Sequence, residues 1–252
     1  MRRWLVILSL MALSCRYRGL PEEIFIYPIQ QGDIWYYEEN VGDTLSVVDS
    51  VVVLRDTVYT YEGNKVPAWR VQKSHESASQ GLIIDTNTTF IYKNAIMEVL
   101  PVEGLFPDSI LYSGQWVKFV YNDDSVIVVW LPLRVKAGDK WVMARGSGRV
   151  IYGSLDCPMS ITIDAEAVGY EDVVYKPLNK RFKGDTALYK GDSLVFEKAL
   201  KVEYKVKTNM CAIPLEVVLL TIWWKSGIGP VKNDALGYPN NLITHLIGWK
   251  RP

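Results

Sequence analysis

The chain reads as an all-β protein built on antiparallel sheet, and three observations lead there. Ile161, Ile163, Ala165 and Ala167 alternate with Thr162, Asp164 and Glu166, while Leu200, Val202, Tyr204 and Val206 alternate with Lys201, Glu203, Lys205 and Lys207. A period of two with one dry and one wet face belongs to an antiparallel sheet covered on one side. Runs rich in β-branched and aromatic residues are punctuated by clusters of Gly, Asn, Asp and Ser, the residues of tight turns. No stretch after residue 15 carries sustained helical periodicity with caps.

The first fifteen residues stand apart. Arg2 and Arg3, an apolar run from Trp4 to Leu13, and small residues before Cys15 form the three-part layout of an export signal, expected as a short helix. The run is about ten residues long, against the roughly 20 that a bilayer-crossing helix needs. Ala12-Leu13-Ser14-Cys15 resembles the lipobox of bacterial lipoproteins, with Ala12 where leucine is usual. The resemblance implies lipidation of Cys15, which becomes the mature N-terminus, and a membrane anchor on the extracytoplasmic side of the cell envelope. Each acyl CH₂ buried in the bilayer contributes roughly 0.8 kcal/mol, so two or three chains tether the protein firmly without spanning. An ordinary secretory signal with an incidental cysteine is the other reading. Arg16 is not the aspartate that resembles an inner-membrane retention signal, and the choice of membrane stays open.

Composition suits a folded body at that address. Lys plus Arg and Asp plus Glu are 28 each, so no net field attracts nucleic acid, and no nucleic-acid partner is expected. Hydrophobic residues make up 49% and aromatic residues 12%, ample apolar surface to offset chain entropy. With Cys15 assigned to lipid, Cys157 and Cys211 remain as a candidate disulfide, the alternative being two free thiols. Neither lies in a Cys-x-x-Cys, and two histidines are too few soft ligands for zinc, so no metal and no cofactor are expected.

Along the mature chain, residues 16–26 hold Gly19 and Pro21 and suit a tether. Residues 27–130 form a first β unit. Within it Glu62-Gly63-Asn64 marks a hairpin loop, Lys73 to Gly81 reads as a polar loop, and Asn122-Asp-Asp-Ser125 reads as a second hairpin between Trp116–Tyr121 and Val126–Leu131. Residues 131–252 form a second unit, because Pro132, Gly138, Asp139 and Trp141 repeat Pro28, Gly32, Asp33 and Trp35 with two extra residues inserted. Such a recurrence suggests duplication or a common way of starting a strand after a turn. Tyr175 to Asp192 carries Pro177, Gly184 and Gly191 and is expected to be irregular.

Leu215 to Lys232, with Trp223-Trp224 and Gly227-Ile228-Gly229, looks like the terminal hairpin of a loosely defined group of bacterial envelope lipoproteins. In that group a Pro-Leu-x-x-Gly-x-x-Trp segment precedes a Leu-Lys-Val-Glu-Tyr-like strand, and Leu131 to Trp141 and Leu200 to Tyr204 look like these here. The resemblance implies a large curved antiparallel sheet or half-open barrel, nearest to lipoprotein-carrier half-barrels. It implies no activity, and the helices that plug such half-barrels have no counterpart here.

Trp223 and Trp224 are neighbours on a strand and point to opposite faces, so at least one belongs to the core. Together with Trp141 and Trp35 they form the candidate binding face, since tryptophan suits surfaces that are part apolar and part wet. No catalytic residue is assigned. Ser74, His75 and Glu76 are adjacent, and adjacent side chains diverge where a nucleophile, its base and an orienting acid must converge. His245 is expected as a strand residue facing solvent or a hydrogen-bond partner. Glu38-Glu39 and Asp123-Asp124 are expected at solvated turns. Gly146-Ser-Gly148 lacks the lysine of a phosphate loop. The expectation is a non-enzymatic, membrane-anchored protein binding an apolar ligand or another envelope protein through a sheet face. The alternative is an envelope hydrolase acting on glycan or peptide with carboxylate catalysts, which needs two carboxyl groups facing each other about 5 to 10 Å apart.

Overall fold

The computed structural model describes residues 23–41, 45–77, 81–106, 108–112, 114–178, 189–211, 213–235 and 242–252. The signal segment, Cys15 and residues 16–22 lie outside them. Seventeen strands follow in order: β1 (Glu23–Ile24), β2 (Ile34–Val41), β3 (Leu45–Tyr61), β4 (Asn64–Ser77), β5 (Gly81–Tyr92), β6 (Ala95–Pro101), β7 (Ser109–Tyr112), β8 (Gln115–Tyr121) and β9 (Ser125–Pro132). Then come β10 (Arg134–Val135), β11 (Lys140–Tyr152), β12 (Leu155–Tyr175), β13 (Tyr189–Lys190), β14 (Ser193–Met210), β15 (Ile213–Lys225), β16 (Gly229–Ala235) and β17 (Leu242–Lys250). Among the described residues the one helical element is a 3-10 turn at Val102–Gly104, and no helix is long and apolar enough to cross a membrane.

Fifteen strands belong to a single sheet, in the order β7-β8-β11-β12-β14-β15-β16-β17-β2-β3-β4-β5-β6-β9, with β13 added beside β14. Every pairing is antiparallel, as the alternation requires. The two sequence units, 27–130 and 131–252, are thus joined in one sheet, and the division between them falls inside β9.

The sheet is open but rolled. Ile96, Leu100, Val126, Val128 and Leu131, from β6 and β9 at one end of the strand order, share one buried core with residues near the other end. Those include Met143 and Val150 of β11 and Ile161, Ile163 and Ala165 of β12. No ladder joins β9 to β11; side chains from β11 and β14 reach β9 instead. Trp141 Nε1 donates to the Val129 carbonyl at 3.0 Å, and Tyr204 Oη donates to the Trp130 carbonyl at 2.8 Å.

This rolling corrects the second expected hairpin. Asn122–Ser125 is a turn, but β8 and β9 do not pair: β8 pairs with β7 and β11, and β9 pairs with β6. The turn carries the chain from one end of the sheet to the other. It is held by Asn122 N donating to Ser147 O at 3.0 Å and Val102 N donating to Asp124 O at 3.1 Å. Period and turn composition mark a reversal without saying which strands flank it in space.

Three further expectations change. The segment read as a loop from Lys73 is strand as far as Ser77, and β5 resumes at Gly81, because both runs continue the β4–β5 ladder. Residues 23–26, read as the end of the tether, belong to the body. Glu23 and Ile24 pair with Val135 and Arg134, the Phe25 amide donates to Leu133 O, and the Phe25 side chain is buried. Glu38 and Glu39 lie within β2 rather than at a turn.

The repeated Gly-Asp phrase is a repeated structure. In the first copy, Asp33 N donates to Gln30 O at 3.1 Å and Gln30 N donates to Asp33 Oδ2 at 2.9 Å. In the second, Asp139 N donates to Lys136 O at 3.1 Å and Lys136 N donates to Asp139 Oδ2 at 2.9 Å. Gly32 and Gly138 both have φ of 91°, a region that only glycine occupies without strain, and each donates to the next strand, at Val53 O and Ala167 O. The same four-residue device starts β2 and β11.

Cys157 and Cys211 are joined as a disulfide, with Cα atoms 5.3 Å apart, inside the normal range for such a bond. It clamps the end of the β12–β14 ladder, beside the Met159–Met210 pair. A separation of 54 residues places its chain-entropy contribution at about 4 kcal/mol. Thermal unfolding with and without reductant is therefore expected to differ by roughly 10 °C, since each kcal/mol moves the midpoint of a chain this size by about 2 to 4 °C. The Cβ of a Gly138→Ala variant would meet nothing within 4 Å, so its cost is backbone strain alone, about 1 to 2 kcal/mol by urea unfolding.

Candidate functional site

Rolling leaves a cavity of about 450 Å³ between the inward faces of β2–β6, β9 and β15–β17. Its position follows from alternation. Trp35 and Tyr37 of β2, Asp49 and Val51 of β3, Val71 and Lys73 of β4, and Ile96 and Glu98 of β6 are pairs two residues apart, so each pair shares one face. Leu220, Ile222 and Trp224 do the same along β15, and Trp130 enters from β9.

One wall of the cavity is aromatic. Tyr27 stacks on Trp35 with ring centroids 6.4 Å apart and meets Trp224 edge to face at 6.2 Å. Gly229 allows this, since a Cβ there would sit 3.1 Å from the Tyr27 ring. The indole hydrogens of Trp35 and Trp224 and the hydroxyl hydrogen of Tyr37 are turned to fixed acceptors. Trp35 Nε1 donates to Ile228 O at 2.8 Å and Tyr37 Oη to Pro230 O at 3.0 Å. Trp224 Nε1 donates to Tyr204 Oη at 3.3 Å. Burial, with the Glu98 charge adding to it at Tyr27, holds the Tyr27 and Tyr37 hydroxyls protonated well above the ordinary phenol range.

The polar part centres on Glu98, a buried carboxylate in the otherwise apolar Ile96-Met97-Glu98-Val99-Leu100. Trp130 Nε1 donates to its Oε2 at 2.7 Å. The half-exposed Lys73 ammonium lies 2.9 Å from Oε1 and 3.1 Å from Oε2, and only the contact to Oε2 has hydrogen-bond alignment. Asp49, Ser50, Ser74, Asp85, Thr89, Asn233 and Thr244 complete the polar lining, and Asn233 Nδ2 donates to Thr244 Oγ1 at 3.1 Å.

The structure separates the four tryptophans of the expected binding face. Trp35 and Trp224 line the cavity. Trp141 packs against the same core from β11 and serves the bridge to β9. Trp223 points the other way from Trp224, as neighbours on a strand must. The Lys232 ammonium lies 4.1 Å from its ring centroid and its Nε1 donates to Glu171 Oε1. Both members of the Trp223-Trp224 pair are buried. Tyr27, Tyr37, Lys73, Glu98 and Trp130 escaped the sequence reading. A lone glutamate or lysine at an inward position of an apolar strand is the signal that would have found two of them.

His245 and Glu38 meet on the opposite face of β2 and β17. Glu38 is fully buried, accepting from Tyr175 Oη at 2.6 Å and from the Leu178 amide at 2.9 Å, because the far end of the β12–β14 hairpin folds over it. Register shifts at Ala167/Gly169 and Glu171/Val173 bend that hairpin, bringing Val173, Tyr175, Leu194 and Phe196 into a second core with Trp223, Leu246 and Ile247. The expectation of solvated carboxylates thus holds for the exposed Asp123-Asp124 and fails for Glu38. Ser74, His75 and Glu76 are consecutive residues of β4. Among the described residues no group of three or more His, Cys, Asp or Glu side chains is placed to hold a metal ion.

Compared with protein-family models, with curated proteins and with solved structures, the chain matches none of them.

His245 stacks on the Tyr175 ring at 3.9 Å, and burial, reinforced by Lys232 and opposed by Glu38, pushes its pKa down to about 4 from 6.5. Between those values the unfolded chain binds a proton that the folded chain refuses, so stability falls as pH drops through that window. Urea midpoints at pH 7 and pH 5 are expected to differ less for His245→Gln than for the parent.

Proposed function

We propose that the chain is a lipid-anchored lipoprotein of the bacterial cell envelope that holds an apolar ligand inside its rolled sheet and does no chemistry on it. Cys15 is the proposed anchor, on the lipobox-like Ala12-Leu13-Ser14 before it. The duplicated strand starts and the half-open-barrel resemblance agree with a sheet rolled around a guest.

The cavity carries the reading. Its 450 Å³ lies within the span of sites that enclose one small molecule, and tryptophan, tyrosine and aliphatic side chains from seven strands line it. An apolar lining left facing water forgoes the stabilisation that covering it would bring, about 25 cal/mol for each Å² buried, and an apolar occupant supplies that cover.

Decanol titrated into the purified chain is expected to change tryptophan fluorescence saturably, because Trp35, Trp130 and Trp224 stand in the wall. Val51→Phe, which fills the cavity from a half-buried position, should weaken decanol binding by about tenfold or more, the equivalent of roughly 1.4 kcal/mol. Equal binding by parent and variant would place the ligand elsewhere. The anchor is tested by labelling cells with palmitate, where Cys15→Ser should abolish incorporation.

A further inference from the structure

The head group of the ligand is legible in the charges and donors that line the cavity. Described side chains on the lining carry three carboxylates, Asp49, Asp85 and Glu98, against a single ammonium, Lys73. That ammonium is already held by Glu98, so it is poorly placed to receive a second anion. The indole donors of Trp35, Trp130 and Trp224 are turned to protein acceptors, as is the Asn233 amide nitrogen. Acceptor capacity remains. Glu98 Oε1 is buried and lacks an aligned hydrogen bond, and Asn233 Oδ1 is buried without one.

A buried ion pair gains little stability over apolar residues of the same volume, because desolvating two charges costs about as much as their attraction returns. Glu98 is therefore poorly explained as a device for holding the sheet together. It is well explained as an acceptor kept in the wall for a donor that arrives with the ligand. Aromatic faces in the same wall also favour a cation over an anion, because the ring face is the negative part of its quadrupole.

We infer that the cavity selects an amphiphile with a positively charged, N–H-bearing head, an alkylammonium, whose chain lies against the aromatic wall and whose head meets the carboxylates. This rests on the reading of the cavity as a ligand site.

The test is a matched series of ten-carbon probes, decylammonium, decanol and decanoate, titrated below their aggregation limits into the purified chain. Decylammonium is expected to bind about tenfold more tightly than either of the others. Asp85 is exposed at the lining, so Asp85→Asn is expected to keep the circular dichroism of the sheet and to reduce decylammonium affinity by roughly threefold relative to decanol, the scale of a solvent-screened pair. Glu98→Gln should remove most of the remaining preference, with circular dichroism and decanol binding reporting whether the sheet survives. Decanol bound as tightly as decylammonium, or decanoate bound more tightly, overturns the head-group assignment alone. No saturable binding by any probe overturns the cavity reading with it.

Discussion

An open sheet rolled until its two ends share a core must satisfy the backbone along a strand that has no neighbour on one side. Here the strand is β9, and two side chains take the place of a ladder. Trp141 Nε1 and Tyr204 Oη donate to the consecutive carbonyls of Val129 and Trp130. Each is a large aromatic group whose body is buried in the shared core while its polar tip reaches the strand edge. Unpaired edges also template association with other chains, so covering one from inside has a second benefit. A side chain is longer than a ladder hydrogen bond, and the ends are held apart by that extra length. The cavity lies to the side of this closure, between β2–β6, β9 and β15–β17.

The remaining architecture keeps that space from collapsing. The N-terminal segment fixes one side: Phe25 and Tyr27 pack against Trp224, and the Gly227 amide donates to Ile26 O at 2.8 Å. The bent β12–β14 hairpin covers the other face of β15–β17 and β2, burying Trp223 and Glu38 there. The strands around the cavity are therefore supported on both faces in places where a simple one-sided sheet would be wet. The disulfide secures the opposite end of the same hairpin. Polar groups of the wall follow from this confinement, because each lies at an inward position where an aliphatic residue would otherwise sit.

Much of this is legible in the amino-acid sequence. Alternation gave strand identity and inward faces over 161–167 and 200–207, and the structure follows it residue by residue. Gly-Asp with a tryptophan two residues on marked two strand starts, because a positive φ and a side-chain acceptor are local requirements. What the chain did not show was pairing at a distance. Asn122-Asp-Asp-Ser125 has the chemistry of a hairpin and joins strands from opposite ends of the sheet, and Lys73 to Ser77 is polar yet continues a ladder. Glu38 looked solvated because its cover, Tyr175 and Leu178, lies far along the chain. The aromatic pair at Trp223-Trp224 was placed correctly on two faces, but which face held the cavity depends on how the sheet rolls. Glu98 and Lys73 went unnoticed because their meeting spans two strands.

The account stands on the interior of the rolled sheet being a place for a guest. A crystal of the chain soaked with an alkyl probe carrying bromine at its far end would locate that guest directly by anomalous scattering. The account predicts one bromine site per chain among Trp35, Trp130 and Trp224. Bromine found only on the outer surface, against exposed residues such as Leu82 or Ile213, would contradict it.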